Sequence, residues 1–117
     1  MEALFKEMRS FESRRADYMD DDEYSAFQQF LLKKPTAGDT IKGTGGLRKI
    51  RWSDPSRGKG KRSGVRIIYY WFDSHNQFWL FTLYNKDEMT DLTDNQKKQL
   101  KIMLDREMRE AKKENKS

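Results

Sequence analysis

Two runs of hydrophobic residues, 65–72 and 78–84, stand out in a chain that is otherwise rich in polar and charged positions. In both runs successive residues are apolar, which is typical of strands that are buried on two faces. Arg66, near the start of the first run, is the exception. The pattern therefore predicts two central strands joined by a turn at 73–76.

The segment 47–52 follows a different pattern, because basic and apolar side chains alternate along part of it. Successive side chains of a strand point to opposite faces. One face of this third predicted strand therefore carries Lys49 and Arg51. The other face carries the three side chains between and beside them, Arg48, Ile50 and Trp52.

Two amphipathic helices are predicted from capping residues and from the spacing of hydrophobic positions. Asp20 with Glu23, and Thr93 with Gln96, have the capping-box pattern that begins a helix. Hydrophobic side chains then recur at helical spacing, first at Tyr24, Phe27 and Leu31 and later at Leu100, Met103, Leu104 and Met108. Because a proline at position 35 stops the first helix, we expect helices over about 21–34 and 94–110.

The other segments have weaker patterns. Residues 4–7 are predicted to form a short edge strand and residues 10–18 one or two helical turns. Residues 35–46, which contain several glycines, are predicted to form a loop, and residues 112–117 a frayed tail. A chain of 117 residues without a long linker predicts a single domain over 1–117.

Positive charge is concentrated in one part of the chain. The whole sequence has a formal net charge of +5, but residues 48–66 hold eight basic residues and one acid, which gives this segment +7 and the rest of the chain −2. A local positive field beside predicted strands indicates a polyanionic partner. Because the charge is not placed along one amphipathic helix, nucleic acid is favoured over a membrane surface.

Several kinds of site lack the residues that they need. The sequence has no cysteine and one histidine, so a thiolate metal site and a histidine-based catalytic triad are disfavoured. The absence of cysteine also suits a reducing cytoplasm, and no apolar run is long enough to span a bilayer. The segment 58–63 lacks the Walker pattern of a phosphate loop, and the acidic run 20–23 is interpreted as a solvated helix start.

A phosphate site is the chemistry that the basic residues favour. Lys49, Arg51, Arg66 and Lys61 are predicted to face one surface, where they could cleave RNA without a metal or another cofactor. RNA carries its own nucleophile, the 2′-hydroxyl, so cleavage needs a base, cations for the phosphorane charge and an acid for the leaving 5′-oxygen. Lys49 is the candidate base and Arg66 the candidate for transition-state charge, because a guanidinium grips two phosphoryl oxygens. An aromatic side chain such as Trp79 or Tyr84 could stack a base.

The chain resembles a known family, the RelE/HigB superfamily of bacterial toxins, and within it most closely the HigB-type branch. The resemblance is carried by Leu47–Arg51, the basic segment after it, Gly64–Tyr70 and Thr82–Glu88. It implies a small microbial RNase-like α+β fold, mainly an antiparallel sheet packed by two N-terminal helices, with a C-terminal helix. It also implies a type II toxin–antitoxin system, in which the toxin cuts mRNA in the ribosomal A site and a HigA-like antitoxin with a helix-turn-helix domain neutralises it.

The resemblance also assigns roles to residues of this chain. The basic pair of the family's first core strand matches Lys49 and Arg51, and the family's arginine early in the next strand matches Arg66. The family's further arginine, an acid or phosphate ligand, falls near Lys86, and Thr93 stands roughly where RelE-type members have a base-stacking tyrosine. The predicted catalytic set is Lys49, Arg66 and Lys86, and the predicted RNA- and ribosome-binding set is Arg48, Arg51, Arg57, Lys59, Lys61, Arg62 and Tyr84.

Two other functions remain open from the residues alone. A non-catalytic RNA- or ribosome-binding protein could use the same basic surface, since electrostatic docking accounts for the charge. A DNA-binding repressor is a weaker alternative, because no helix-turn-helix pattern is present and both predicted helices begin with acids that DNA would repel.

Overall fold

The computed structural model describes residues 1–53 and 64–114. Within these residues five strands form one sheet: β1 (Leu4–Glu7), β2 (Asp39–Thr40), β3 (Arg48–Trp52), β4 (Val65–Phe72) and β5 (Gln77–Asn85). Their order across the sheet is β1-β5-β4-β3-β2, with β1 parallel to β5 and the other neighbours antiparallel. The three strands predicted between residues 47 and 84 are confirmed, and β4 lies at the centre as its apolar sequence indicates.

The described part of the chain also contains three α-helices: α1 (Arg9–Tyr18), α2 (Asp21–Lys33) and α3 (Asp94–Glu114). Both predicted capping boxes are present. Asp20 accepts a hydrogen bond from the Glu23 N–H while Glu23 reaches back to the Asp20 N–H, and Thr93 and Gln96 do the same at the start of α3. The mixed α+β architecture, with two N-terminal helices and a C-terminal helix, is confirmed.

The sheet separates two hydrophobic cores. On one face, Phe27 and Leu31 of α2 pack with side chains such as Trp52, Ile67 and Leu83. On the other face, Leu100 and Leu104 of α3 form a core with Leu47, Ile68, Trp79 and Phe81. Because β4 contributes to both cores, every residue from Val65 to Tyr69 is buried.

Helix α1 lies along the edge of β5, beyond the end of the short strand β1. The Met8 N–H donates to the Leu80 carbonyl at 2.8 Å, and the Arg14 Nε donates to the Leu83 carbonyl at 3.2 Å. The Ser10 hydroxyl lies 2.7 Å from that of Thr82. Polar groups of α1 therefore satisfy part of a strand edge that would otherwise be open to another chain.

Some predicted boundaries need correction. The sequence predicts a loop over residues 39–40, but these residues pair with β3. Gly38 allows the chain to approach β3 closely, since a Cβ at its φ of +84° would lie 2.4 Å from the Lys49 carbonyl oxygen. Helix α1 is ten residues long, more than one or two turns. Helix α3 continues to Glu114, into the predicted frayed tail, because basic residues suit a helix C-terminus and Ala111 packs on the core.

Candidate nucleic-acid interface

The basic side chains of β3 and β4 lie on the face of the sheet that α3 also covers. The strand register sets Arg51 opposite Arg66, and Arg66 opposite Tyr84 on β5. One step along, Lys49 is opposite Ile68. Residues that are directly opposite in an antiparallel pair share a face. The structure therefore places on one face three of the four cations that the sequence predicts there, and the fourth, Lys61, lies outside the described residues.

The pairing of Arg51 with Arg66 is unusual for a sheet. Like charges that are directly opposite destabilise a strand pair, typically by roughly 0.2–1 kcal/mol. Arg51 is exposed, whereas Arg66 is buried with 6% of its surface exposed. Two guanidinium groups on neighbouring strands, one restricted by its surroundings, make a strong local field for an anion.

Lys49 forms an ion pair with an acid that sequence reasoning missed. Its Nζ lies 3.4 Å from the Asp91 Oδ1, and the two side chains are 33% and 65% exposed. The Asp91 carboxylate also accepts a hydrogen bond from the Leu92 N–H at 2.8 Å. This hydrogen bond, together with the charge of Lys49, holds the pKa of Asp91 below its ordinary value.

No local signal identifies Asp91 as a site residue. It lies in the segment 86–93 between β5 and α3, 42 positions after Lys49. The acid becomes a neighbour of Lys49 only because Leu92 enters the core under α3, where its exposure is 8%. A sequence pattern records spacing along the chain, so this contact could not be predicted from it.

Tyr84, which the sequence predicts to stack a base, is buried in this structure. Tyr84 and Trp79 are each only 1% exposed, and both pack in the core beneath α3, so neither ring offers a face to a nucleotide base. The Tyr84 hydroxyl is buried and has no hydrogen-bond partner among the residues that the structure describes. Burial, followed by the nearby charge of Asp91, raises the pKa of Tyr84, while Arg66 lowers it.

Two other predicted residues lie apart from this cluster. Arg48 is on the opposite face of β3, where its guanidinium donates to the carbonyls of Thr36 and Gly38 at 3.0 and 3.4 Å and holds the loop after α2. Lys86 is exposed in the turn that follows β5. That turn is at the same end of the sheet as Arg66 and Tyr84, because β4 begins where β5 ends.

The remaining predicted binding residues belong to the segment between β3 and β4. Ser53 and Gly64 are at the same end of the sheet as Arg51 and Arg66. The residues between them include four predicted RNA contacts, which lie outside the described residues: Arg57, Lys59, Lys61 and Arg62. Thr93, the counterpart of the family's stacking tyrosine, caps α3 instead.

A polar network fixes the turn that carries Lys86. The Glu88 carboxylate is bonded by the Tyr18 hydroxyl, by the Arg14 guanidinium at 3.0 Å and by the Asn85 N–H at 3.1 Å. Burial and the hydrogen bond with Glu88 raise the pKa of Tyr18 to about 12. The same hydrogen bond, with that from Asn85, lowers the pKa of Glu88. Helix α1 therefore anchors the 85–88 turn beside the basic cluster.

The described part of the chain contains neither a group of metal ligands nor a membrane-spanning helix. Within residues 1–53 and 64–114, no three His, Cys, Asp or Glu side chains are grouped so that they could hold a metal ion. No described helix combines the length and the apolar character needed to cross a bilayer.

Comparison with solved structures shows which known fold this protein has. No family model matches the sequence. The structure is similar to that of the E. coli toxin RelE, solved as a mutant in the free state, with a TM-score of 0.52, 12% identity and coverage of 77% of this chain and 90% of RelE. It is also similar to a chain of the intact E. coli RelBE toxin–antitoxin complex, with a TM-score of 0.51, 12% identity and coverage of 70% and 94%. The chain therefore has a RelE-like fold, as the sequence resemblance predicts.

Proposed function

We propose that this protein is the toxin of a type II toxin–antitoxin system and cleaves mRNA in the A site of the ribosome. The single observation that carries the proposal is the pairing of Arg51 with Arg66, beside Lys49, on one face of a RelE-like sheet. A sheet gains nothing in stability from opposed arginines. A polyanionic substrate explains why they are there, and a fold shared with a known toxin makes RNA cleavage the favoured chemistry.

The proposed reaction needs no metal. Lys49, as a free amine, takes the proton of the 2′-hydroxyl, and the 2′-oxygen attacks the adjacent phosphorus. The bond from phosphorus to the 5′-oxygen breaks, and Lys86 gives that oxygen a proton. The products are a 2′,3′-cyclic phosphate and a free 5′-hydroxyl, so atoms and charge balance.

Arg66 is the proposed ligand of the phosphoryl oxygens that gain charge during the attack. A guanidinium binds two oxygens at once and loses little freedom when it is already restricted, as the low exposure of Arg66 indicates. Arg51, which is exposed and lies opposite Arg66 on β3, adds a second positive charge near the phosphate. Lys49 must leave its ion pair with Asp91 before it can act as the base.

The proposed partners follow from the proposed cleavage of mRNA on the ribosome. The substrate is mRNA on the 70S ribosome, ribosomal RNA provides the docking surface, and the reaction takes place in the cytoplasm. A cognate antitoxin is proposed because one of the similar structures is a toxin–antitoxin complex. The sequence resemblance to the HigB-type branch favours a HigA-like antitoxin with a helix-turn-helix domain.

The experiment adds purified protein to 70S ribosomes that are paused on an mRNA with a filled P site, and maps new 5′ ends by primer extension. Loss of a proton-transfer group costs roughly 10²–10⁴ in rate, and loss of one donor to the developing oxyanion roughly 10²–10³. We therefore expect A-site cuts with the wild type and nearly none with Lys49→Ala or Arg66→Ala. Lys33→Ala is the matched control, since Lys33 is exposed at the end of α2, on the opposite side of the sheet.

The main alternative is a non-catalytic protein that binds RNA or ribosomes through the same surface. It predicts ribosome binding without cuts, and a loss of affinity in proportion to the charge removed by each substitution. Cuts that persist unchanged in Lys49→Ala and Arg66→Ala would refute the assigned residues. Binding without any cuts would refute the nuclease and leave the RNA-binding protein.

A further inference from the structure

A pocket of about 200 Å³ lies on the far side of Lys49 from Arg66. Strand β2 and the residues after it form one wall, and the start of α3 forms the other. Three lysines line the pocket, and two aspartates offset part of their charge: Lys42, Lys49, Lys97, Asp39 and Asp91. Thr40 adds a hydroxyl to the same wall.

The Asp91 carboxylate is the anion that this pocket holds in the described conformation. Its partners are the Lys49 ammonium at 3.4 Å and the Leu92 N–H at 2.8 Å, and the positive charge of Lys97 also acts on it. Yet 65% of the Asp91 side chain is exposed, so solvent screens the ion pair. An exposed pair of this kind changes an equilibrium only a few-fold, so a competing anion can displace the carboxylate.

A phosphate group offers the same contacts with more charge. Its oxygens would accept from the Leu92 N–H and from the ammonium groups of Lys42 and Lys97. When Asp91 turns out to solvent, the pocket changes from a formal +1 to +2, since three lysines then face one remaining aspartate. The carboxylate therefore marks the position of an anion site and competes for it.

We propose that Lys42, Lys97 and the Leu92 N–H form a second phosphate subsite, which binds the RNA phosphate next to the scissile one and which Asp91 occupies as an internal substitute. This inference rests on the proposed function, because the ligand is an RNA backbone. Arg66 and the subsite hold successive phosphates on either side of Lys49. Entry of the second phosphate releases Lys49 from Asp91, so correct placement of the strand also frees the proposed base.

Binding is measured with the full chain and a fluorescently labelled, short 2′-O-methyl oligoribonucleotide, by polarisation at low ionic strength. This probe cannot be cleaved, because it has no free 2′-hydroxyl. Asp91→Asn is expected to bind it roughly three- to tenfold more tightly than the wild type, since the variant removes both a competitor and a repulsive charge. Asp87→Asn is the matched control, an exposed acid in the same segment with the same change of charge, and is expected to change affinity less than about twofold.

A second pair of variants tests the pocket without touching Asp91. Lys97→Gln is expected to weaken binding and to cancel most of the gain from Asp91→Asn when the two are combined. Lys98→Gln removes the same charge from the next residue, which is exposed and does not line the pocket, and is expected to have a smaller effect. This pair keeps the proposal falsifiable if Asp91→Asn does not fold.

Several results would overturn the subsite. These are an Asp91→Asn variant that binds no more tightly than Asp87→Asn, equal effects of Lys97→Gln and Lys98→Gln, or no binding of the probe by any variant. Weaker binding by Asp91→Asn would mean that Asp91 orients Lys49 instead. The ribosome cleavage assay separates this test from that of the proposed function. Tighter oligonucleotide binding by Asp91→Asn, in a protein that does not cut mRNA, refutes only the nuclease. Cleavage by the wild type, without tighter binding by Asp91→Asn, refutes only the subsite.

Discussion

Replacing Tyr84 by phenylalanine tests the buried hydroxyl of this residue, which lies on β5 opposite Arg66 of β4. The side chain is 1% exposed, and its oxygen has no hydrogen-bond partner among the described residues. Tyr69, on the neighbouring strand, is a matched control with 0% exposure. Its hydroxyl donates to the carbonyls of Pro35 and Ala37, at 3.0 and 2.7 Å. The same chemical change is therefore expected to have opposite effects at the two positions.

The magnitudes follow from hydrogen bonding. A buried polar group without a partner costs about 1–3 kcal/mol, so Tyr84→Phe is expected to raise the free energy of unfolding by about 1 kcal/mol. Tyr69→Phe removes the donor of two carbonyls and is expected to lower it by about 1–2 kcal/mol. An unfolding entropy of about 2.1 cal/mol/K per residue gives about 0.25 kcal/mol/K for 117 residues. The expected changes in Tm are then about +4 °C and about −4 to −8 °C.

Ionisation does not complicate this comparison. Burial raises the pKa of Tyr84, and it raises that of Tyr69 to about 12. Both phenols are therefore neutral at pH 7, and each substitution removes only a neutral hydroxyl. Urea unfolding followed by circular dichroism measures both free energies, and an unchanged m-value shows that the unfolded state is not altered.

One result would refute the reasoning. If Tyr84→Phe destabilises the protein as much as Tyr69→Phe, the Tyr84 hydroxyl has a hydrogen-bond partner in solution, and the basic face is organised differently from the structure described here. If Tyr84→Phe instead stabilises the protein but reduces ribosome-dependent cleavage, the hydroxyl serves the site at a cost in stability.

Two further predictions concern stability. The pKa of Glu88 is lowered in the folded state from an ordinary value of 4.5, so its ionised form stabilises the fold above that pH, and this contribution is lost as the pH falls through the folded-state pKa. Urea unfolding between about pH 3 and 6 is expected to show a steeper fall in the free energy of unfolding for the wild type than for Glu88→Gln. Parallel curves would contradict the Tyr18–Glu88 network. Leu104 is 3% exposed against the sheet, so Leu104→Ala is expected to lower the free energy of unfolding by about 2–5 kcal/mol. Ile102, on the same helix, is 49% exposed, so Ile102→Ala is expected to lower it by less than about 1 kcal/mol. Thermal unfolding measures both losses, and equal losses would show that α3 does not pack as described.

The apolar patterns and the capping residues predict most of the local structure. Strand β4 spans the predicted residues 65–72, and both capping boxes start their helices where the sequence places them. These features depend on neighbours within a few positions along the chain, which a sequence displays directly. Residues 39–40 were missed because a two-residue strand has no periodicity of its own and forms only against β3.

The sequence likewise predicts some features of the basic site but not others. Alternation along β3 predicted that Lys49 and Arg51 share a face and that Arg48 is on the other, and the charge count predicted a polyanionic partner. The order of the strands, the opposition of Arg51 and Arg66, and the burial of Tyr84 required the structure, because register is set by contacts between distant segments.

The sequence alone therefore indicates which residues form strands and helices, and which side chains of one strand share a face. The sequence does not show that α3 covers the face of the sheet that carries Lys49, or that Asp91 lies beside Lys49; both depend on the fold. The reason is physical: alternation and capping act between near neighbours, whereas the choice of face for a helix depends on which apolar surfaces of the whole chain remain to be buried.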